Sequence, residues 1–279
     1  MAATSTDDGP RRSYRFALRP LWLLSHLLVL AAVVVMVNLG LWQLRRLDER
    51  REFNDTVEAN ASAEPVPLAT LLAGLGGDGG DGTNGAGLHD DAIDAIEWRP
   101  VVVEGTYRQG ADVLVANRAL DGQPGYWVVT PFEPADGSDA VAVVRGFVTR
   151  AFVAQGDLRE AAAPDGVQTV TGYVQESRGG GRFATGLDEG ELPQISAVDV
   201  GKLAEHWGID LAPVWLQRSA PGDDAPGGGD PLTAVPLPDL GEGPHLSYAV
   251  QWFLFATIAA VGYPLIIRRN ARIPTPASG

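Results

Sequence analysis

Two long apolar runs stand near the ends of the chain, with a series of short ones between them. Residues 21–41 read LWLLSHLLVLAAVVVMVNLGL, and residues 245–267 read HLSYAVQWFLFATIAAVGYPLII. Neither run carries a formal charge, histidine being taken as neutral. About 20 mostly apolar residues span the hydrocarbon of a bilayer as a helix, so each run predicts a transmembrane helix, over 21–42 and 245–267. A basic lead before the first run would also suit a signal peptide. The run is longer than a usual signal core, however, and Asn38-Leu39-Gly40-Leu41-Trp42 follows in place of a small-residue cleavage site. It reads as an uncleaved anchor.

The pattern changes after residue 42. RRLDERREFNDTVEAN (45–60) has mixed charges at helical spacing and predicts a helix continuing out of the membrane. A Gly/Asp-rich stretch, 74–91, follows and reads as a linker. Its Gly74, Gly76 and Gly79 match G-x-G-x-x-G, but no strand precedes them and no helix follows, so the dinucleotide motif lacks its setting. Residues 43–97 are therefore assigned as charged helix plus linker.

From 98 to 220 the apolar runs are short and rich in Val, Thr, Tyr and Phe: 101–109, 112–120, 125–132, 140–148, 167–176 and 213–219. Gly110, Asp121-Gly122, Pro134, Asp136-Gly137 and Pro164-Asp165-Gly166 punctuate them. Repeated short strands with such turns predict a mainly antiparallel barrel or sandwich. DVGKLAEHWG (199–208) predicts one short helix ending at Gly208. Residues 221–244 form a Pro/Gly linker back to the second span. The predicted fold is thus a membrane protein with two transmembrane α-helices flanking an extracytoplasmic β domain.

Charge orients this plan. The tails 1–20 and 268–279 carry Arg11, Arg12, Arg15, Arg19, Arg268, Arg269 and Arg272. The middle segment has Arg45, Arg46, Arg50 and Arg51 after the first span and no basic residue in the 20 before the second. The bias favours both termini in the cytoplasm, with the cell membrane as the location. Residues 43–244 hold 14 basic against 33 acidic residues, a net charge of −19. That argues against nucleic acid as a partner, because phosphate is met by basic patches, and leaves the lipid bilayer as the expected surroundings. The absence of cysteine excludes disulfides, thiolate metal sites, iron–sulfur ligation and cysteine nucleophiles.

Candidate chemistry is sparse. No H-E-x-x-H, G-x-S-x-G or P-loop occurs, so the chain reads as a non-enzyme. Of four histidines, His89 falls in the Gly/Asp linker and His206 on the short outer helix, both read as solvated. Gly179-Gly180-Gly181, between Arg178 and Arg182, is read as a mobile loop before an anion cradle. His26 and His245 lie at opposite ends of the two spans and cannot share one metal; about 22 Å of helix separates His26 from Leu41. Ionisable groups at membrane depth are functional candidates. His245, Tyr248, Ala249, Trp252, Phe255, Ala256 and Ala259 share one broad helix face, with Trp252 about 10 Å in from His245. That face suits a flat cofactor with a ligandable iron, and equally suits packing against the first helix. Gln251 and Ser247 can donate hydrogen bonds there.

Several segments resemble the surfeit-locus-1 family of cytochrome c oxidase assembly proteins. Gly40-Leu41-Trp42-Gln43-Leu44 looks like the G-x-W-Q-L motif at the exit of the first span. Trp98-Arg99-Pro100-Val101 through Gly105-Thr106-Tyr107 looks like the first strand pair, and Pro124 to Phe132 like P-G-[FY]-x-[VL]-x-T-P. Val144-Arg145-Gly146-Phe147-Val148 resembles V-N-R-G-W-V, with Val144 and Phe147 as departures. His245-Leu246-Ser247-Tyr248-Ala249-Val250-Gln251-Trp252 resembles H-x-x-Y-[AV]-x-Q-W. The resemblance implies an assembly factor for haem-a-containing cytochrome c oxidase, with haem a as cofactor and oxidase subunit I and haem a synthase as partners. It implies His245 as the iron ligand, with Tyr248, Gln251, Trp252 and Phe255 around it. The alternative is a haem-free membrane scaffold that stabilises an oxidase assembly intermediate.

Overall fold

A computed structural model describes residues 14–75, 90–156, 160–185, 192–219 and 232–271. The stretch 76–89, with His89 and most of the predicted Gly/Asp linker, lies outside the described residues, as do 221–231 and most of the two tails. The chain forms two compact units, one of residues 1–55 with 240–279, the other of 56–239.

The first unit is a helix pair. A 3₁₀ turn, Arg15–Leu18, leads into α1, Pro20–Ala61, and α6 spans His245–Asn270. Helix α1 runs without a break through both the predicted span and the predicted charged helix. Both helices are long and apolar enough to cross a membrane. Their outward positions are apolar: Leu21, Leu24, Leu28 and Val35 on α1, and Val250, Leu254, Ile258 and Leu265 on α6, are all at least half exposed. Water does not tolerate so continuous an apolar surface, whereas lipid does.

The inward positions follow a four–three spacing. On α1 they are Trp22, His26, Val29, Val33, Met36, Gly40, Gln43 and Leu47; on α6 they are His245, Ala249, Trp252, Ala256, Ala259 and Tyr263. Such a stripe keeps one face turned to a partner helix. Small residues let the backbones approach, as is usual where lipid gives no hydrophobic drive. Gly40 shows how closely: a Cβ there would stand 2.7 Å from the Phe253 ring.

The second unit is a β-barrel. Strands β2 (Pro100–Tyr107), β6 (Val167–Glu176), β8 (Leu211–Arg218), β5 (Ala140–Thr149) and β4 (Gln123–Pro134) pair in that order, and β2 pairs again with β4 to close the ring. Closure depends on the length of β4. Its first half pairs with β3 (Val113–Leu120), and its last residues pair with β2 through Gly105↔Pro134 and Tyr107↔Phe132. A register shift between Val128 and Val129 bends it between these roles. Gly105 is required at the join, since a Cβ would fall 2.1 Å from the Glu133 carbonyl oxygen. The edges are finished by β1 (Val66–Pro67), parallel to β2, and β7 (Gln194–Ile195), parallel to β3.

Strand β5 is buried on both faces, which explains why AVAVV lacks the alternation of a half-exposed strand. Val141 and Val143 join Val101, Phe132, Val174 and Leu216 in one core. Ala142 and Val144 join Trp215 and Leu203 in a second, the latter from α5, Val200–Trp207. The six predicted strands and this helix are present. Three short helices, α2 (Leu68–Leu75), α3 (Asp90–Asp94) and α4 (Arg150–Ala154), were not foreseen.

Candidate functional site

The helix pair carries a histidine contact at each end. At the first residue of α6, His245 Nδ1 lies 2.9 Å from Gln43 Oε1 on α1. An amide oxygen only accepts, so Nδ1 carries the hydrogen and donates it. In a neutral ring the lone pair then lies on Nε2, which has no hydrogen-bond partner among the described residues. Gly243 keeps that edge of the ring open. Its φ of +68° suits glycine, and an added Cβ would stand 3.6 Å from Nε2.

A strap holds His245 in place. Arg51 pairs with Glu242 at 2.7 and 3.1 Å, Arg50 Nε donates to the Gly241 carbonyl at 3.1 Å, and Asn54 Nδ2 donates to the Leu240 carbonyl at 2.5 Å. The hydrogen bond from Arg51 holds the Glu242 carboxyl below its ordinary pKa and raises the Arg51 guanidinium above its own. In the first turn of α6, Ser247 Oγ donates to the Pro244 carbonyl at 2.7 Å.

The other candidate residues fall along one flank of α6. Trp252 shares the inward stripe with His245. Tyr248 and Phe255 are 48% and 42% exposed, so they lie open beside the seam; Trp252 and Phe255 meet edge to face at 6.2 Å. Gln251 is exposed and lies about 120° around the helix from His245. The structure thus brings His245 together with Gln43, a residue absent from the predicted site although it stood within a quoted motif. Its signal was the four–three stripe that also holds Gly40 and Leu47.

An imidazole with a fixed tautomer and a bare Nε2 is equipped to ligate iron, and a carbonyl partner on its other nitrogen orients the ring and raises its basicity. Among the described residues no three His, Asp or Glu side chains converge as a metal cluster.

Other sequence-flagged positions are engaged structurally. Around the triple glycine, Arg178 binds Glu97 and Glu176, each at 3.1 Å, and the Gly181 N–H donates to Asp199 at 3.0 Å. Burial raises the pKa of Glu97, opposed by Arg178. His206 is exposed, its ring 4.6 Å from that of Phe183. Arg145 is fully buried in the barrel unit, donating to Thr130 Oγ1 at 2.9 Å and the Ala161 carbonyl at 2.5 Å, with Asp112 at 3.3 Å.

The sequence pattern of the SURF1 family matches residues 30–257, from inside the first apolar run to inside the second. The chain belongs to the SURF1 family. A SURF1-like protein of Mycobacterium bovis is 29% identical over 248 residues, covering 88% of this chain and 83% of its own length. A SURF1-like protein of Monosiga brevicollis is 26% identical over 266 residues, covering 89% and 91%. The cytochrome oxidase assembly protein SHY1 of Saccharomyces cerevisiae is 26% identical over 127 residues, covering 46% of this chain and 28% of its own. The SURF1 match spans both Gln43 and His245, the residues joined at the outer end of the seam.

Proposed function

We propose that this protein is an assembly factor for cytochrome c oxidase that binds haem a and assists its insertion into subunit I. The similarity to a cytochrome oxidase assembly protein supports the assembly role. The Gln43–His245 hydrogen bond carries the haem reading, because it joins the two membrane-exit motifs and leaves Nε2 bare. His245 would hold the haem iron through its imidazole. Trp252 and Phe255, with Tyr248 beside them, would offer apolar and edge-on contact to the porphyrin, and Gln251 would turn its amide to polar substituents. The haem supplies the iron; the protein's own residues hold it, orient it and shield it from water. In this reading the protein presents haem a to the oxidase, with haem a synthase as a further partner, and performs no catalysis of its own.

We place the protein in the cell membrane with both termini cytoplasmic, following the arginine bias of the tails. The haem reading is tested with the full-length protein purified from a host that makes haem a. Wild type is expected to carry haem with a low-spin or high-spin absorption spectrum, and His245→Ala is expected to lose it while remaining in the membrane. Retention of haem at wild-type stoichiometry by His245→Ala rejects His245 as ligand. A wild-type protein without haem favours the haem-free scaffold.

A further inference from the structure

Helix α1 carries a second stripe on the side away from its seam with α6. Leu24, Leu28, Ala31, Val35, Asn38 and Trp42 recur at the four–three spacing of the seam itself, and all six are exposed. Five of them are apolar, in keeping with the rest of the outward surface. The sixth, Asn38, is an amide. Its side chain is turned back along the apolar run, where Nδ2 donates to the Val34 carbonyl one turn earlier at 2.8 Å. That bond uses one of the two amide hydrogens. The other hydrogen and Oδ1 have no partner among the described residues.

If the first run spans a bilayer, as proposed above, these groups face hydrocarbon. Asn38 lies about 6 Å along the helix inside Trp42, and tryptophan belongs at the interface. Lysine and arginine escape such a depth by reaching out to the head groups. The asparagine side chain is too short to cover that distance, and its bond to Val34 points it the other way. A donor and an acceptor left unmatched in hydrocarbon are costly. Helix α6 cannot match them, because it packs on the opposite side of α1. The position therefore calls for a hydrogen-bonding group from another helix.

We propose that the outward stripe of α1 is a dimerisation face, on which a second copy of this chain packs in parallel and the two Asn38 amides pair with each other. An amide with one hydrogen and one oxygen unspent is complementary to itself. Copies inserted in the same sense bring residue 38 to residue 38 at equal depth, and a twofold axis then satisfies both side chains with no other group. The four–three spacing keeps the stripe facing a parallel partner along its length, and a single asparagine within such a stripe sets register and copy number. Ala31, in the middle of the stripe, lets the two backbones approach. The seam with α6 stays as it is, so the Gln43–His245 contact is undisturbed.

Charge bears on this face from outside it. No Asp, Glu, Lys or Arg interrupts 24–42, so nothing within the stripe repels a copy of itself. The net charge of −19 on residues 43–244 does oppose the approach of two copies. Repulsion between exposed groups is screened beyond about 8 Å at physiological ionic strength, whereas the amide pair lies where salt does not reach. Added salt is therefore expected to tighten the dimer. The outward face of α6 offers no equivalent at Thr257, whose hydroxyl hydrogen is already spent on the Phe253 carbonyl at 2.8 Å.

The dimer face rests on the membrane reading, and its test separates the two. The chain has no cysteine of its own. Full-length protein with one cysteine introduced is reconstituted into phosphatidylcholine vesicles and oxidised at a series of protein-to-lipid ratios. Flotation with the vesicles after an alkaline wash reports insertion, and disulfide-linked dimer reports the face. Leu24→Cys and Val35→Cys, on the stripe, are expected to cross-link; Leu23→Cys and Leu30→Cys, exposed but off it, are not. In the Val35→Cys background, Asn38→Leu makes the helix more apolar and leaves insertion intact. It is expected to raise the protein density needed for half-maximal cross-linking roughly 3–30-fold, the range for one interhelical hydrogen bond in a bilayer. Asn38→Gln keeps the amide and is expected to stay near the parent. Protein that floats but cross-links no better at 24 and 35 than at 23 and 30 overturns the dimer face, leaves the membrane reading standing, and gives the stripe to a helix of another protein. Unchanged cross-linking in Asn38→Leu also overturns it, because the amide would then not be what joins the copies. Protein that does not float overturns both.

Discussion

A histidine's role here is decided by its neighbours' hydrogens. At His245 the partner is an amide oxygen, which takes one hydrogen and leaves Nε2 bare. At His26 one nitrogen, Nδ1, faces the Tyr263 hydroxyl and the other, Nε2, the Ala17 carbonyl. The same side chain therefore meets an amide at one end of the seam and a phenol and a backbone carbonyl at the other. Gln43 acts on His245 only through Nδ1, so its loss should weaken haem retention without abolishing it. Outer partners of ligating histidines are worth roughly 10–100-fold in affinity. Gln43→Leu is expected to fall in that range by haem titration into apo-protein. Gln43→Glu, which restores an acceptor, should recover most of the loss. Equal haem affinity in wild type and Gln43→Leu would show that the contact does not tune the ligand.

At the scale of elements, the helix pair depends on close approach and on the strap that leads into α6. With a Cβ at residue 40 standing 2.7 Å from the Phe253 ring, Gly40→Val should force the helices apart at the level of the site. The expected result is loss of haem with protein still in the membrane. Gly40→Val combined with Phe253→Ala should restore part of it, because the ring that clashes is gone. Additive effects in that double-mutant cycle would mean the two positions are uncoupled. The strap makes a pH prediction. The folded Glu242 carboxyl is depressed by Arg51, so the stabilisation it contributes is fully present above its ordinary value of 4.5 and is lost as pH falls through the lower folded value. Carboxyl-carbon NMR should place the Glu242 midpoint below 4.5 in wild type and return it to the ordinary range in Arg51→Gln. An unmoved midpoint would mean that the ion pair is not formed in solution.

For the whole molecule, an apolar helix pair and an acidic β-barrel unit answer to different solvents. Residues 43–244, with a net charge of −19, are repelled by anionic lipid, while the outward faces of α1 and α6 are apolar enough to suit hydrocarbon. The natural lack of cysteine makes the proposed orientation easy to test. Ser138, on the exposed turn between β4 and β5, should react as Ser138→Cys with an impermeant maleimide added to intact cells. Labelling only after the cells are opened would reverse the orientation.

Much of this was legible along the chain. Apolar runs of about 20 residues announce spans because a bilayer has a fixed thickness, and short runs rich in Val, Thr, Tyr and Phe between turn residues announce strands because such side chains fit a pleated sheet. Those signals are local, so the two helices, the six main strands and α5 were readable. The short helices α2 and α4 carry apolar residues that pack onto the barrel cores, and only those cores hold them; eight or fewer residues have no helical stability of their own. Ring closure was not readable either, since it rests on β4 pairing with two strands along one edge and on the missing Cβ of Gly105. The sequence by itself determined which residues could face lipid, water or each other, and it marked His245 and His26 as out of place in hydrocarbon. Only the tertiary structure decided which side chain each histidine meets, because helix pairing brings together residues far apart in the chain. Those partners, Gln43 and Tyr263, stand some 200 residues or more away in the chain.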